Sequence, residues 1–220
     1  MQVKLMIYII LMLSLFISPT KATEIICYSS VYAPYSFLEN DKPTGIDIDV
    51  INKIAEKIKL SVSFKIIPWS RLKQLMIVGE IDCAAAFLKS TDNEKLMSYM
   101  QTPITIGDYS LFIDESNQNS LSDISDLYGE TIAVNRGFNI PKELQAPISN
   151  GLIKVYEVDS SVQSLQMLST SRVKAVLLDK HVGRYYIQQL LIKNITVIEP
   201  PIVSTPVYLV FSNKMRETGL

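Results

Sequence analysis

RLKQLMIVGEIDCAAAF at residues 71–87 and QSLQMLSTSRVKAVLLD at residues 163–179 follow one pattern. Each opens with an amphipathic stretch whose apolar residues recur near helical spacing. Each then breaks at a small or polar residue, Gly79 in one and Ser171 in the other. Each ends in a short run of small and branched apolar residues, which predicts a strand buried on both faces. An amphipathic helix running into such a strand is half of a βαβ unit, and sheets built from these units carry helices on both sides. The unit occurs twice, so the chain is expected to form two similar α/β lobes. Ligands of open α/β sheets bind beyond the carboxyl ends of the strands. Two lobes that face each other with those ends enclose a cleft suited to a small molecule.

Working outward from these units, residues 24–29 predict a first strand, and 30–44, with Pro34 and Pro43, a loop. From Gly45 onward, Ile46, Val50, Ile51, Ile54, Ala55 and Ile58 fall on one face of a helix. Asp47 and Asp49 suit its first turn, where a carboxylate caps or complements the helix dipole. Asp47 therefore reads as a helix-start residue. A strand at 61–67 stops at Pro68, Ser70 is the expected N-cap of a helix over 71–78, and a strand follows at 81–86. A short helix is expected at 91–97 and an extended segment at 106–113. A brief helix starts at Ser122-Asp123. Strands are expected at 131–134, 152–157, 174–178, 195–198 and 207–211. Helices are expected near Pro141, at 161–169 and at 180–193, the last with Val182, Tyr185, Tyr186 and Leu190 inward. That order gives a first lobe of 23–105 plus 205–220 and a second lobe of 114–200. The two crossings, about 106–113 and 205–211, make a hinge, and hinge closure around a ligand is an established switching motion.

Hydrophobic residues make up 48% of the 220 and charged residues 20%, enough apolar material for sizeable cores. Lys4, the run LMIYIILMLSLFI and the segment SPTKA have the order of a secretory signal, so 1–22 is expected to be removed. The run is short for a membrane span, which takes about 20 residues. A periplasmic or secreted monomer is expected, with no membrane span in the mature chain. Without Lys4 and Lys21 the chain holds 19 basic and 22 acidic residues, and no basic run speaks for nucleic acid. Cys27 and Cys83 are the two cysteines, and both fall in predicted buried strands of the first lobe. Export permits a disulfide, but neighbouring parallel strands rarely offer the geometry, so two buried thiols are expected. His181 is alone, which leaves a zinc site or a histidine-based triad little to build on. No metal or cofactor is expected.

The segments YAPYSF (32–37), GIDIDVINKIAEKI (45–58), PWSRL (68–72), GEIDCAAAF (79–87), SDLYGETIAVNRG (125–137) and SRVKAVLLD (171–179) together resemble the bacterial extracellular solute-binding proteins of family 3. The resemblance implies an α/β, two-lobed type II periplasmic-binding-protein fold. Each lobe would be a mostly parallel sheet flanked by helices, and two hinge strands would join them. It implies a small polar solute, amino-acid-like or related, with an ABC permease or a membrane sensor as partner. The helix that usually follows the second crossing reads as short or missing before Leu220.

By this resemblance Tyr32 stacks on the ligand with Tyr35 beside it, Trp69 closes the other side, and Asp179 holds an α-amino group. Tyr and Trp offer rigid faces to apolar or cationic groups, and a carboxylate is a strong acceptor for an ammonium. The chain departs from the family where an Arg usually clamps the ligand carboxylate: that position holds Glu94. Phe87 and Lys89 stand where small hydroxyl residues are common, and Phe138 and Asn139 follow Gly137. Arg71 and Arg136 are the candidate substitutes, with Phe87 and Asn139 as further contacts. Two alternatives are an enzyme similar to cyclohexadienyl dehydratases, with Glu94 or Asp179 as acid or base, and a truncated, non-binding interaction module.

Overall fold

A computed structural model describes residues 24–217; the expected export signal lies outside them. The chain runs β1 (Glu24–Ser29), a hairpin of β2 (Phe37–Glu39) and β3 (Lys42–Thr44), α1 (Ile46–Lys57), β4 (Ser61–Ile66), α2 (Trp69–Ile77), β5 (Cys83–Leu88), α3 (Thr91–Leu96) and β6 (Met97–Tyr99). The long β7 (Thr105–Asp114) leads through two 3-10 turns, Glu115–Ser120 and Ile124–Leu127, into β8 (Thr131–Asn135). Then come α4 (Lys142–Ser149), β9 (Lys154–Val158), α5 (Ser161–Ser169), β10 (Ala175–Asp179), α6 (Lys180–Gln189), β11 (Ile195–Val197), the long β12 (Val203–Ser212) and α7 (Asn213–Glu217).

The strands lie in the order β4-β1-β5-β12-β7-β10-β8-β9, with β6 on β12 and β11 on β7. The outer trios β4-β1-β5 and β10-β8-β9 are parallel. The two long strands join them antiparallel: β12 pairs β5 through Val207–Phe211 and β7 through Val203–Val207, while β7 pairs β10 through Tyr109–Ile113. This is the type II periplasmic-binding-protein architecture.

Alternation along the strands divides the core by face. In β7 and β10, Phe112, Val176 and Leu178 pack toward α5 and α6 with Leu165, Leu168 and Val182. Their neighbours Leu111, Ile113, Ala175 and Leu177 pack on the other side with Leu127 and Leu144. In the first half, Leu72, Met76 and Phe87 fill one face, and Ile25, Ile51 and Leu209 the other. The five residues of β10 are all buried, which is why its sequence reads as an unbroken apolar run ending in one acid.

Several expectations are corrected. Cys27 and Cys83 are disulfide-bonded, not free thiols. Strand register sets them directly opposite each other on β1 and β5, with Cα atoms 4.4 Å apart, at the near end of the bridgeable range. The expected loop over 30–44 contains a hairpin, turned by Asn40 and Asp41 at φ 50° and 60°, the left-handed pair that a two-residue hairpin needs. α1 buries Asp47, Ile48, Ile51 and Ala55, leaving Ile46 and Ile58 exposed, and no side chain caps it. Its start is instead fixed by backbone bonds from the amides of Ile46 and Asp47 to the carbonyls of Pro34 and Tyr35. α2 begins at Trp69 behind Pro68, two residues earlier than a Ser70 cap allows. α6 stops at Gln189, and Leu190 is exposed. β12 starts at Val203, with Pro206 inside the strand.

Candidate ligand-binding site

The loop after β1 is folded tightly before it meets any ligand. Tyr32 bridges Ser36, the Tyr35 amide donates to the Tyr32 carbonyl at 2.9 Å, and Ser36 donates through its hydroxyl to the Ser30 carbonyl at 2.6 Å. Gly45 lets this loop press onto α1: its φ is +125°, and a Cβ there would sit 2.8 Å from the Pro34 carbonyl oxygen. That contact is why Asp47, two residues on, lies beneath the tyrosines instead of in solvent.

Across the sheet, Asp179 ends β10 and caps α6. One carboxylate oxygen accepts from the amides of His181 at 2.9 Å and Val182 at 3.1 Å, and the other accepts from the Asp108 amide at 3.0 Å. The Asp179 amide donates to the Tyr32 hydroxyl at 3.4 Å. On the upper side, Trp69 opens α2, lies 5.0 Å from the Phe87 ring and donates its indole N–H to the Gly137 carbonyl at 3.2 Å.

These groups enclose a cavity of about 50 Å³. Of the residues expected at the site, Tyr32, Tyr35, Trp69, Phe87, Asn139 and Asp179 line it together. Arg71 and Arg136 do not. Arg71 is exposed on α2, and Arg136 pairs with Asp159 at 2.9 Å and Glu157 at 3.0 Å on the outer surface. Glu94 is also exposed and outside the lining. Sequence reasoning missed Asp47, Lys73, Asn93, Tyr109 and Phe138, all in the lining. Asp47 was visible as one of two acids at the start of α1. Only the packing of that helix distinguishes it from the exposed Asp49.

The electrostatics of the floor are one-sided. Asp47 is 1% exposed, and its Oδ1 finds no hydrogen-bond partner among the described residues. Burial, aided by the nearby Asp179 charge, pushes its carboxyl up to about 7. Asp179 is also raised by burial, against the three backbone N–H groups that favour its ionised form. Burial and the two carboxylates push the Tyr109 phenol up, and burial with neighbouring charges does the same for Tyr32 and Tyr35. Among the described residues, Lys73 is the single basic one in the lining. Two carboxyls under neutral aromatic walls, with no arginine, form a site that attracts a positive group and offers no bidentate clamp to a carboxylate.

Residues 25–194 match the model of the bacterial extracellular solute-binding proteins, family 3. A probable amino-acid ABC transporter-binding protein of Haemophilus influenzae is 30% identical over 170 residues, covering 76% of this chain and 63% of that protein. The L-cystine-binding protein TcyA of Bacillus subtilis is 26% identical over 168 residues, covering 76% of this chain and 60% of that protein. The chain thus spans about six-tenths of the length of these curated relatives. Among solved structures, an ancestral arginine-binding protein bound to arginine superposes with a TM-score of 0.77 at 22% identity, covering 89% of this chain and 87% of that one. A histidine kinase sensor domain with similarity to periplasmic binding proteins superposes at 0.80 with 20% identity, covering 90% and 86%. At these identities the superpositions establish the fold. Among the described residues, no helix is long and apolar enough to cross a membrane.

Proposed function

The chain belongs to the bacterial extracellular solute-binding proteins of family 3, and from that premise we propose that it is a periplasmic receptor for a small organic cation. The ligand presents an ammonium group, as an amino acid or a related amine does, and is delivered to an ABC permease. The observation that carries the charge class is the buried carboxyl of Asp47, beside Asp179; the Asp47 Oδ1 finds no hydrogen-bond partner among the described residues. A carboxylate left bare in such a place is costly. A cation lying between the two acids restores the charge balance and supplies the missing hydrogen-bond donor. Tyr32, Tyr35 and Trp69 add faces that attract a desolvated cation. Binding draws the two lobes together about β7 and β12, because Asp47 and Trp69 come from the first half and Asp179 from the second.

The transport role is supported by the relatives: one is named a probable amino-acid ABC transporter-binding protein and another an L-cystine-binding protein. The reading as a non-enzyme has the same support, together with the position of Glu94 outside the cavity. The test is thermal unfolding against amines, amino acids and dicarboxylates at pH 8. A ligand at a hundredfold excess over its Kd adds about 2.7 kcal/mol to the folded state. At about 2–4 °C per kcal/mol for a chain of this size, the melting temperature rises by roughly 5–10 °C. Amines are expected to give that rise and dicarboxylates none. A rise with dicarboxylates alone would refute the charge class.

A further inference from the structure

We propose that Phe138 sets an upper limit on ligand size, restricting this site to short organic ammonium ions. The inference rests on the reading of the cavity as a cation site and adds which cations it admits. Phe138 enters from the loop between β8 and α4 and lines the cavity in contact with both Tyr32 and Trp69. Its ring meets Tyr32 edge-on at 5.3 Å and 63°, and Trp69 at 6.0 Å and 71°. It is anchored rather than free. Its ring packs against the core behind β8 together with Tyr109 and Ile140. The residue before it, Gly137, adopts φ +76° and is held to α2 by the Trp69 indole bond of 3.2 Å.

The remaining space is about 50 Å³. An ammonium head with a two- or three-atom tail is short enough to lie beside the Phe138 ring in this lining. A guanidinium on a three-carbon chain is not, and would have to displace the phenyl ring from both aromatic neighbours. Two edge-to-face ring contacts correspond to roughly tenfold to a hundredfold in an equilibrium constant. Exclusion by a side chain already in the slot discriminates without any added contact to the preferred ligand.

The experiment compares wild type with Phe138→Ser, which removes the ring, and with Phe138→Leu, which keeps most of the bulk. Ethanolamine and arginine are titrated into each by calorimetry at pH 8, with circular dichroism confirming the fold. Wild type and Phe138→Leu are expected to bind ethanolamine and to bind arginine poorly, and Phe138→Ser to gain arginine affinity tenfold to a hundredfold. Arginine binding equally well to wild type and Phe138→Ser would overturn the proposal while leaving the cation site intact. Failure of all three folded proteins to bind either amine would refute the cation reading itself, and the size limit with it.

Discussion

Asp47→Asn separates the cost of the buried carboxyl from its use. Asp47 ionises in the folded protein at about 7, against an ordinary value of 3.8. Between those values the folded state holds a proton that the unfolded chain has already released. Stability therefore falls as pH rises through this window and levels off above pH 7. At 1.36 kcal/mol per pH unit the full difference is about 4 kcal/mol. The side chain is almost fully shielded, so the whole interval counts. The amide keeps the shape and cannot ionise. The variant should match wild type at pH 4 and exceed it by about 4 kcal/mol at pH 8, a melting rise of roughly 8–16 °C. It should also lose amine binding by at least about tenfold, the value of a hydrogen bond to a charged group. Thermal melts of both proteins from pH 4 to 8, with and without ethanolamine, read out both effects. A wild-type profile that stays flat over pH 4–8, or a variant that gains no stability at pH 8 while still binding amines fully, would refute the reasoning.

Replacing Cys27 and Cys83 together by alanine opens a loop of 56 residues and should lower stability by about 4 kcal/mol in urea unfolding, with amine affinity retained because neither cysteine lines the cavity. Arg136→Ala removes only an exposed pair with Asp159 and Glu157, so calorimetric affinity for amines should be unchanged; a large loss would return Arg136 to the site. Gly183→Ala drives a methyl into the Phe112 ring beneath α6, and a loss of about 1–3 kcal/mol is expected by chemical denaturation. Wild-type affinity for a cation should weaken as pH falls below 7, by up to about tenfold per unit, because binding requires the ionised Asp47; a pH-independent Kd would contradict its part in recognition.

The fold was legible where local pattern and packing agree. The two helix-strand units, the helix at 161–169 and the all-buried β10 stand where periodicity puts them. What the sequence withheld depends on neighbours distant in the chain. Cys27 and Cys83 bond because sheet order sets β1 beside β5 in a register that alignment of single strands cannot supply. The 30–44 segment looked irregular because its two short strands are defined by a left-handed Asn-Asp turn, not by apolar alternation. At the site, the family resemblance points to the aromatics Tyr32, Tyr35 and Trp69, and all three line the cavity. Asp179 was readable as the acid closing an apolar run, and it serves as helix cap and cavity wall at once. Asp47 stands in the first turn of α1 as its position suggests; what the pattern does not show is its burial, which follows from the packing of the Gly45 segment against Pro34 and Tyr35. Arg71 and Arg136 were drawn in by the need for a carboxylate clamp, a need that disappears if the ligand is a simple cation.

Trp69 is the single tryptophan of the chain and lines the cavity, so its fluorescence reports directly on what enters. Titration of the intrinsic emission with ethanolamine at pH 8, beside parallel titrations with acetate and succinate, tests the central claim. A saturable change with the amine and none with the acids is the predicted result. A saturable change with the acids, or no response to any amine, would contradict it.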